Sequence, residues 1–340
     1  GSRGLGDVYK RQYQSMLINA GETKNVGVEL TVNTVNFSTK KFSWNTTLTL
    51  SHNKNSVKAL TGEAVQLYEA KFGFNQNTHR IAVGEPLGQF YGYITEGLYQ
   101  VDDFNYDAST QTYTLKDGVP YHGDKGQIRP GMWKFKNLTG DDNVIDENDK
   151  TVIGNAQPKF YGGLNNSFTY KGFDLSIFLT FSYGNEVLNA TKLVTSKVGS
   201  LNYNALDVMN SSNRWMTINS DGQKVTDPGE LAALNAGKTV AAYHDAQQGD
   251  NYIHSWAVED ASYLKLSNVT LGYTFPKNLI ARVGLKNLRL YATGNNLLTW
   301  TKYSGFDPEV STMKSGLTPG VDFGAYPLSR SFIFGLNVAF

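Results

Sequence analysis

The chain has 340 residues, no cysteine and a formal net charge of +1 at pH 7. This charge balance provides neither a basic face for nucleic acid nor an acidic tail, and the lack of thiols excludes a disulfide framework and thiolate metal sites. No apolar run approaches the roughly 18 residues that a membrane helix needs, whereas 34 glycines and 13% aromatic residues suit strands and turns. The composition therefore favours an all-β protein.

The first twelve residues, GSRGLGDVYKRQ, differ from the rest of the chain. They contain no initiator methionine, no apolar segment of a signal peptide and no strand periodicity. We interpret residues 1–12 as a non-native segment and residues 13–340 as a fragment of a longer protein.

Three pairs of segments with alternating polarity follow, each pair joined by a shorter connection. The pairs are 27–35 with 42–50, 159–170 with 173–183, and 262–275 with 288–300. In 173–183 (FDLSIFLTFSY) every second residue from Phe173 to Tyr183 is apolar, and the segment spans roughly 36 Å at about 3.3 Å per residue, enough to cross a bilayer. In the third pair Leu264 and Leu266 are out of phase with Val269 and Leu271, which predicts a β-bulge.

The segment 326–340 (YPLSRSFIFGLNVAF) is the last predicted strand. Its apolar face consists of Phe332, Phe334, Leu336, Val338 and Phe340. The other face is small or polar except for Ile333. A strand of this kind either lines a sandwich core or faces lipid.

The connections between the pairs are very unequal. About a hundred residues separate the first pair from the second, about seventy-five the second from the third, and about twenty-five follow Trp300. Such long loops are unusual in a compact soluble domain and usual on the outside of an outer-membrane barrel. Aromatic residues near the strand ends suit the girdles of such a barrel: Tyr170, Phe173, Tyr183, Tyr273, Phe275, Trp300 and Tyr303. The pattern predicts a transmembrane antiparallel β-barrel.

Five blocks of sequence follow one another in order. They are 19–30 (NAGETKNVGVEL), 83–99 (VGEPLGQFYGYITEGLY), 159–189 (KFYGGLNNSFTYKGFDLSIFLTFSYGNEVLN), 262–276 (SYLKLSNVTLGYTFP) and 288–308 (LRLYATGNNLLTWTKYSGFDP). Together with the terminal Phe340 they resemble the carboxy-terminal part of SusC/RagA-type TonB-dependent outer-membrane receptors of Bacteroidetes.

The resemblance implies that residues 13–340 are the carboxy-terminal portion of a barrel of about 22 strands, ending at the native C-terminus in the cell outer membrane. It implies contact with outer-membrane lipid and a SusD-like surface lipoprotein as partner. It further implies uptake of oligosaccharides, or of peptides in some members, with energy from the TonB complex acting through an amino-terminal plug that this sequence lacks. About seven strands of the wall are expected here, from the segments counted above.

The acidic segment 137–149 (NLTGDDNVIDEND) is a candidate Ca²⁺ loop, because hard cations take six to eight oxygen ligands. The candidate ligands are Asn137, Thr139, Asp141, Asn143 and Asp149. Receptors of the resembled family often have DxNGDGxID, from which this sequence departs by Asn137 at the usual Asp position, Asp142 at the glycine position and one inserted residue. The alternative is a solvated acidic turn on an extracellular loop.

Loop aromatics are candidate ligand contacts, because their rings stack on sugars: Tyr91, Tyr93, Tyr99, Tyr252 and Trp256. The alternative for Tyr91 and Tyr93 is a structural hairpin.

Catalysis has less support in the sequence. The five histidines lack metal-ligand spacing, and adjacent carboxylates such as Asp102 with Asp103, or Glu259 with Asp260, point to opposite faces of a strand. We therefore predict no catalytic residues and no enzyme. Two other hypotheses remain open: a soluble β-sandwich that binds glycans, and a secreted glycoside hydrolase with a carboxylate pair in a cleft.

Overall fold

The computed structural model describes residues 21–62, 64–70, 76–140, 142–196, 204–242, 252–313 and 315–340. Predictions for residues 1–20, for Asp141 and for His244 lie outside this part of the chain.

The described residues form twenty strands: β1 Gly21–Ser38, β2 Phe42–Leu60, β3 Val65–Glu69, β4 Asn77–Ala82, β5 Gln89–Gly92, β6 Thr95–Leu98, β7 Phe104–Asp107, β8 Thr112–Leu115, β9 Tyr121–His122, β10 Trp133–Phe135, β11 Val144–Ile145, β12 Thr151–Asn155, β13 Phe160–Tyr170, β14 Phe173–Tyr183, β15 Glu186–Asn189, β16 Val258–Asp260, β17 Tyr263–Thr274, β18 Asn287–Thr301, β19 Val321–Asp322 and β20 Ser331–Ala339. Three short α-helices accompany them: α1 Ala190–Thr195, α2 Pro228–Leu234 and α3 Lys277–Ile280. Among the described residues no helix has the length and apolar character to cross a membrane.

Seven long strands form one antiparallel sheet, which we call the wall sheet. Its order is β1-β2-β13-β14-β17-β18-β20. The three predicted pairs and the predicted last strand are therefore confirmed, and β14 begins and ends where the alternation does. The turn between β13 and β14 has Lys171 at φ 45° and Gly172 at φ 91°. Positive φ at both positions is the geometry of a two-residue type I′ hairpin turn.

Register aligns the apolar residues of the wall sheet in rows. One row, from strand to strand, consists of Val32, Leu48, Leu164, Leu179, Leu266 and Leu298. The face that carries this row is open, since Val28 is 69% and Phe334 80% exposed. A β-sandwich would bury these side chains against a second sheet, so the arrangement suits a wall that faces lipid.

The phase slip in β17 is a β-bulge, as predicted. Ile177 pairs with Val269, whereas Leu179 pairs with Leu266, so β17 holds an additional residue between these two pairs. The bulge returns Leu264 and Leu266 to the apolar face that Val269 and Leu271 also occupy.

The opposite face of the wall sheet is mainly polar and hydrogen-bonded between strands. Thr47 Oγ1 donates to Asn33 Oδ1 at 2.8 Å, and Asn268 Nδ2 donates to Asn295 Oδ1 at 2.7 Å. Phe178 and Ile333 are apolar exceptions on this face, where they pair with Asn165 and Thr293 respectively.

Aromatic rings lie at both ends of the wall sheet. Near the short turns, the ring centroids of Phe173 and Tyr273 are 4.5 Å apart, and Trp44 donates from Nε1 to Asn166 Oδ1 at 2.9 Å. At the other end Phe160 stacks on Tyr183 at 4.9 Å. This distribution is typical of the two interfacial girdles of an outer-membrane barrel.

The long connections all leave the same end of the wall sheet. We call them loop A (61–159), loop B (184–262) and loop C (302–330), and their packed body the loop assembly. Loop A contains the sheet β12-β5-β4-β3, and strands of loops B and C form the sheet β16-β15-β19. The assembly has its own buried side chains, including Trp215, Tyr99, Phe90 and Phe135. The sequence predicted the lengths of these loops but not their internal sheets.

Candidate functional site

The three loops contact one another directly. Leu188 of loop B pairs in parallel with Val321 of loop C. The amide of Tyr93 in loop A donates to the carbonyl of Ile253 in loop B at 2.9 Å. Because these contacts join different hairpins of the wall sheet, the loop assembly is the part of the molecule that can form a binding surface from several loops.

Seven rings meet at the junction of loops A and B, and we call them the aromatic cluster: Tyr93, His122, Trp133, Phe135, Tyr252, His254 and Trp256. Phe135 lies at its centre, with ring centroids 5.2 Å from Tyr93, 5.0 Å from His122 and 5.2 Å from His254. Offset and edge contacts of this kind contribute about 0.5–1.5 kcal/mol per pair beyond the area that they bury.

Three of the predicted ligand residues belong to this cluster. Tyr93 is buried, while Tyr252 and Trp256 are half-buried and pack against the same core. Burial raises the pKa of the Tyr93 phenol. Tyr99 lies elsewhere in loop A, fully buried, with its hydroxyl donating to the carbonyl of Pro120 at 2.7 Å. The structure gives these residues packing contacts, and their roles as ligand contacts remain predictions.

Tyr91 is the predicted ligand residue that borders an open cavity. The cavity has a volume of 740 Å³, and its lining includes Gln66, Leu67, Tyr68, Arg80 and Tyr91. Arg80 donates from Nη1 to Glu85 Oε2 at 2.6 Å, which fixes its guanidinium beside the cavity. Burial, followed by the charge of Glu147, raises the pKa of Tyr91, so its hydroxyl stays protonated at neutral pH. Aromatic rings, a guanidinium and an amide are the groups that bind a hydroxylated ligand.

The acidic segment 137–149 is organised by the buried carboxylate of Asp149. Its Oδ1 accepts from the backbone N–H groups of Leu138 at 2.6 Å and Thr139 at 2.8 Å, and its Oδ2 accepts from that of Asp146 at 2.8 Å. Burial alone would raise the pKa of Asp149, but these backbone donors outweigh it and the net pKa is lowered. The carboxylate thus holds the turn together through N–H donors.

The other candidate calcium ligands are less closely engaged. Asn137 is half-buried, the Thr139 hydroxyl donates to Asp149 Oδ1 at 3.2 Å, and Asn143 has a left-handed backbone with φ 58°. Within the described residues, no group of three or more His, Cys, Asp or Glu side chains is placed to hold a metal ion. Since Asp141 lies outside those residues, the calcium site remains a prediction.

Three of the adjacent carboxylates, Glu259, Asp260 and Asp103, have structural partners. Glu259 forms an ion pair with Lys192 at 3.2 Å and accepts from the amide of Ser304 at 2.9 Å, so it joins loop B to loop C. Asp260 accepts from the Ser262 hydroxyl at 2.5 Å, and Asp103 pairs with Lys134 at 3.0 Å. The contacts on each carboxylate are those of loop closure rather than those of an acid and base pair in a cleft.

Sequence reasoning missed three buried histidines, His79, His122 and His254. They are far apart in the chain and have no motif spacing, so the only signal available was their position among apolar and aromatic residues. Their location at contacts between loops arises from tertiary packing alone.

Comparisons with known proteins agree with this geometry. The chain is 33% identical over 96% of its length to TonB-dependent receptor P3 of Formosa agariphila, and 27% identical over 96% to TonB-dependent receptor SusC of Bacteroides thetaiotaomicron. It spans about 30% of the length of the former and 27% of the latter. No protein-family model matches the chain.

Solved structures show the same fold. A structure of the RagAB peptide transporter matches with a TM-score of 0.64 at 20% identity, over 95% of this chain and 30% of that chain. A structure of the RagAB peptide importer in the open-open state matches with a TM-score of 0.61 at 21% identity, over 94% of this chain and 29% of that chain.

The wall sheet and its loops are therefore part of an outer-membrane β-barrel, which confirms the predicted fold class and location. The recognised resemblance to TonB-dependent receptors is confirmed, because both the sequence and the fold of the chain match part of such receptors. The matched relatives are named as receptors, and they indicate no catalytic function.

Proposed function

We propose that this chain is part of an outer-membrane transporter that imports oligosaccharides with energy from the TonB complex, together with a SusD-like surface lipoprotein. The observation that carries the proposal is the loop assembly itself. Three loops from three hairpins build one cored body at a single end of a lipid-facing wall, with an open cavity beside Tyr91. Such a body can hold a large solute at the mouth of a barrel, where a surface lipoprotein can deliver it.

The cavity supports an oligosaccharide better than a purely apolar solute. Tyr68 and Tyr91 supply aromatic surface, while Gln66 and Arg80 supply groups that can bind hydroxyls. A peptide is the competing substrate class and is distinguished by the experiment below. The exposed apolar face of the wall sheet argues against the alternative of a soluble β-sandwich.

The test is binding and uptake by the intact receptor with Tyr91→Ala. We expect the variant to bind the preferred oligosaccharide from a glycan panel about tenfold more weakly, which corresponds to about 1.4 kcal/mol of lost stacking. The measurements are calorimetric titration of the purified receptor and growth of a deletion strain that carries the variant.

The matched control is Tyr326→Ala, which removes a tyrosine that is 93% exposed and does not line the cavity. It should leave affinity and growth unchanged. Binding of a peptide panel in place of glycans would contradict the substrate class. Normal growth of the deletion strain on every polymeric nutrient that supports the parent strain would contradict the uptake function.

A further inference from the structure

The three buried histidines of the loop assembly all lie where two different loops meet. His79 in loop A donates from Nε2 to the carbonyl of Pro319 in loop C at 2.9 Å. Nδ1 of His254 in loop B lies 2.8 Å from the Thr95 hydroxyl oxygen in loop A. The ring of His122 in loop A meets the ring of Tyr252 in loop B edge to face, with centroids 5.5 Å apart.

Each of these imidazoles is held as the neutral form. Neither ring nitrogen of His122, nor Nε2 of His254, has a hydrogen-bond partner among the described residues, and both rings are enclosed by the aromatic cluster. In His79, Nε2 carries the proton and donates to the Pro319 carbonyl. Nδ1 is therefore free of a proton and accepts from the Thr78 hydroxyl at 2.8 Å. A second proton on any of these rings would place a charge where water does not reach.

We propose that His79, His122 and His254 form an acid-sensitive latch that holds loops A, B and C together at neutral pH and releases them on protonation. The latch does not include the wall sheet, because all three histidines lie in loops A and B, while the wall strands are held to one another by backbone pairing. Acidification therefore loosens the loop assembly first and leaves the wall in place.

The groups that face the histidines oppose protonation or are neutral. Lys192 of α1 is the cation near His254, and His122 is the other ionisable neighbour of that ring. Tyr252 faces His122, and its own pKa is raised by burial, so it remains uncharged. Around His79, burial lowers the pKa of the imidazole and outweighs the hydrogen bond to the Pro319 carbonyl, which raises it.

The direction of the pH effect follows from these surroundings. Burial lowers the pKa of His79 and of His122 to about 4 and that of His254 to about 3. An exposed histidine titrates near 6.5, so the stabilisation is complete above that pH and is lost as the pH falls toward the folded values. Each proton taken up on opening raises the opening equilibrium constant tenfold per pH unit.

The test is amide hydrogen exchange of the intact receptor in nanodiscs between pH 6.5 and 5.5, a range that stays about one unit or more above the ordinary pKa of glutamate and aspartate. After correction for intrinsic exchange, the logarithm of the opening constant of loop amides should rise as the pH falls, with a slope of about 1.5 per pH unit at pH 6.5 that approaches three at pH 5.5, up to one for each histidine. Amides of β13 and β14 should keep their protection.

Single variants report the contribution of each ring. His122→Phe, His79→Gln and His254→Gln should each remove about a third of the slope, whatever they do to absolute stability. Phe306→Ala, which removes an exposed ring of loop C and no titratable group, should leave the slope unchanged. A wild-type slope near zero, or a slope that the three variants do not change, would overturn the latch. If a variant fails to fold, the imidazole NMR titration of the wild-type protein gives the same count of protons.

Discussion

Leu164→Arg should remove the receptor from the outer membrane, whereas Asn165→Arg, one residue along the same strand, should be tolerated. Leu164 lies in the middle of β13 on the apolar face and pairs with Leu48 and Leu179 on either side. An arginine near the bilayer midplane of a barrel costs about 2–4 kcal/mol. We expect the variant to be largely absent from the outer-membrane fraction, measured by immunoblot and by heat-modifiable migration.

Asn165 provides the matched control because its side chain is on the polar face. There Asn165 Oδ1 accepts from the Ser176 hydroxyl at 3.0 Å, a contact worth about 1 kcal/mol in a typical case. Leu164→Met, which conserves volume and polarity, should also assemble normally. Equal loss for Asn165→Arg and Leu164→Arg would show that the two faces are not distinguished by lipid.

Trp215→Ala should release the loop assembly without detaching the wall sheet. Trp215 is the largest fully buried side chain and is 1% exposed. Its indole lies against Gly131, where a Cβ would collide with the ring and where φ is +87°. The backbone amide of Trp215 donates to Val240, and the amide of Ala242 donates to Gly131, so the same contact joins loop B to loop A.

The expected loss is about 3–5 kcal/mol, typical of a buried tryptophan truncated to alanine. This corresponds to a rise of at least about a hundredfold in the opening constant of the loop assembly, measured by limited proteolysis or hydrogen exchange at neutral pH. Phe306→Ala is the control, since that ring is in loop C and 77% exposed. Protection of the Trp215→Ala loops equal to that of the control would refute the role of this contact.

The wall sheet was predictable because its information is local. In β14 the alternation from Phe173 to Tyr183 sets both faces, and the Lys171 and Gly172 turn fixes where the strand begins. The bulge in β17 was visible as a phase error between Leu266 and Val269. The exceptions are β1 and β2, which extend beyond the predicted segments to the pair Gly21 and Leu60. There β2 follows a polar sequence without alternation and pairs with β1 alone.

The loop assembly was not predictable in the same way because its contacts are distant in sequence. His79 and Pro319 are 240 positions apart, and nothing near either residue indicates the other. Tyr93 illustrates the consequence for the candidate site. The residues next to a tyrosine in the chain do not show whether its ring is exposed for stacking or buried. Only packing against Phe135 and Tyr252 places the Tyr93 ring in a core.

Whether one face of the wall sheet contacts lipid is tested most directly by a cysteine scan of β14 in the intact receptor. The receptor is placed in bilayers that contain a lipid-borne quencher. The chain has no native cysteine, so within it each fluorescent label reports one position. We predict quenching at the alternate positions from Phe173 to Tyr183 and little quenching at Ser176 and Thr180. Phe178 is decisive because it is apolar yet on the polar face, and its label should remain unquenched. Quenching that follows hydrophobicity rather than alternation, or none along the strand, would contradict a lipid-facing barrel wall.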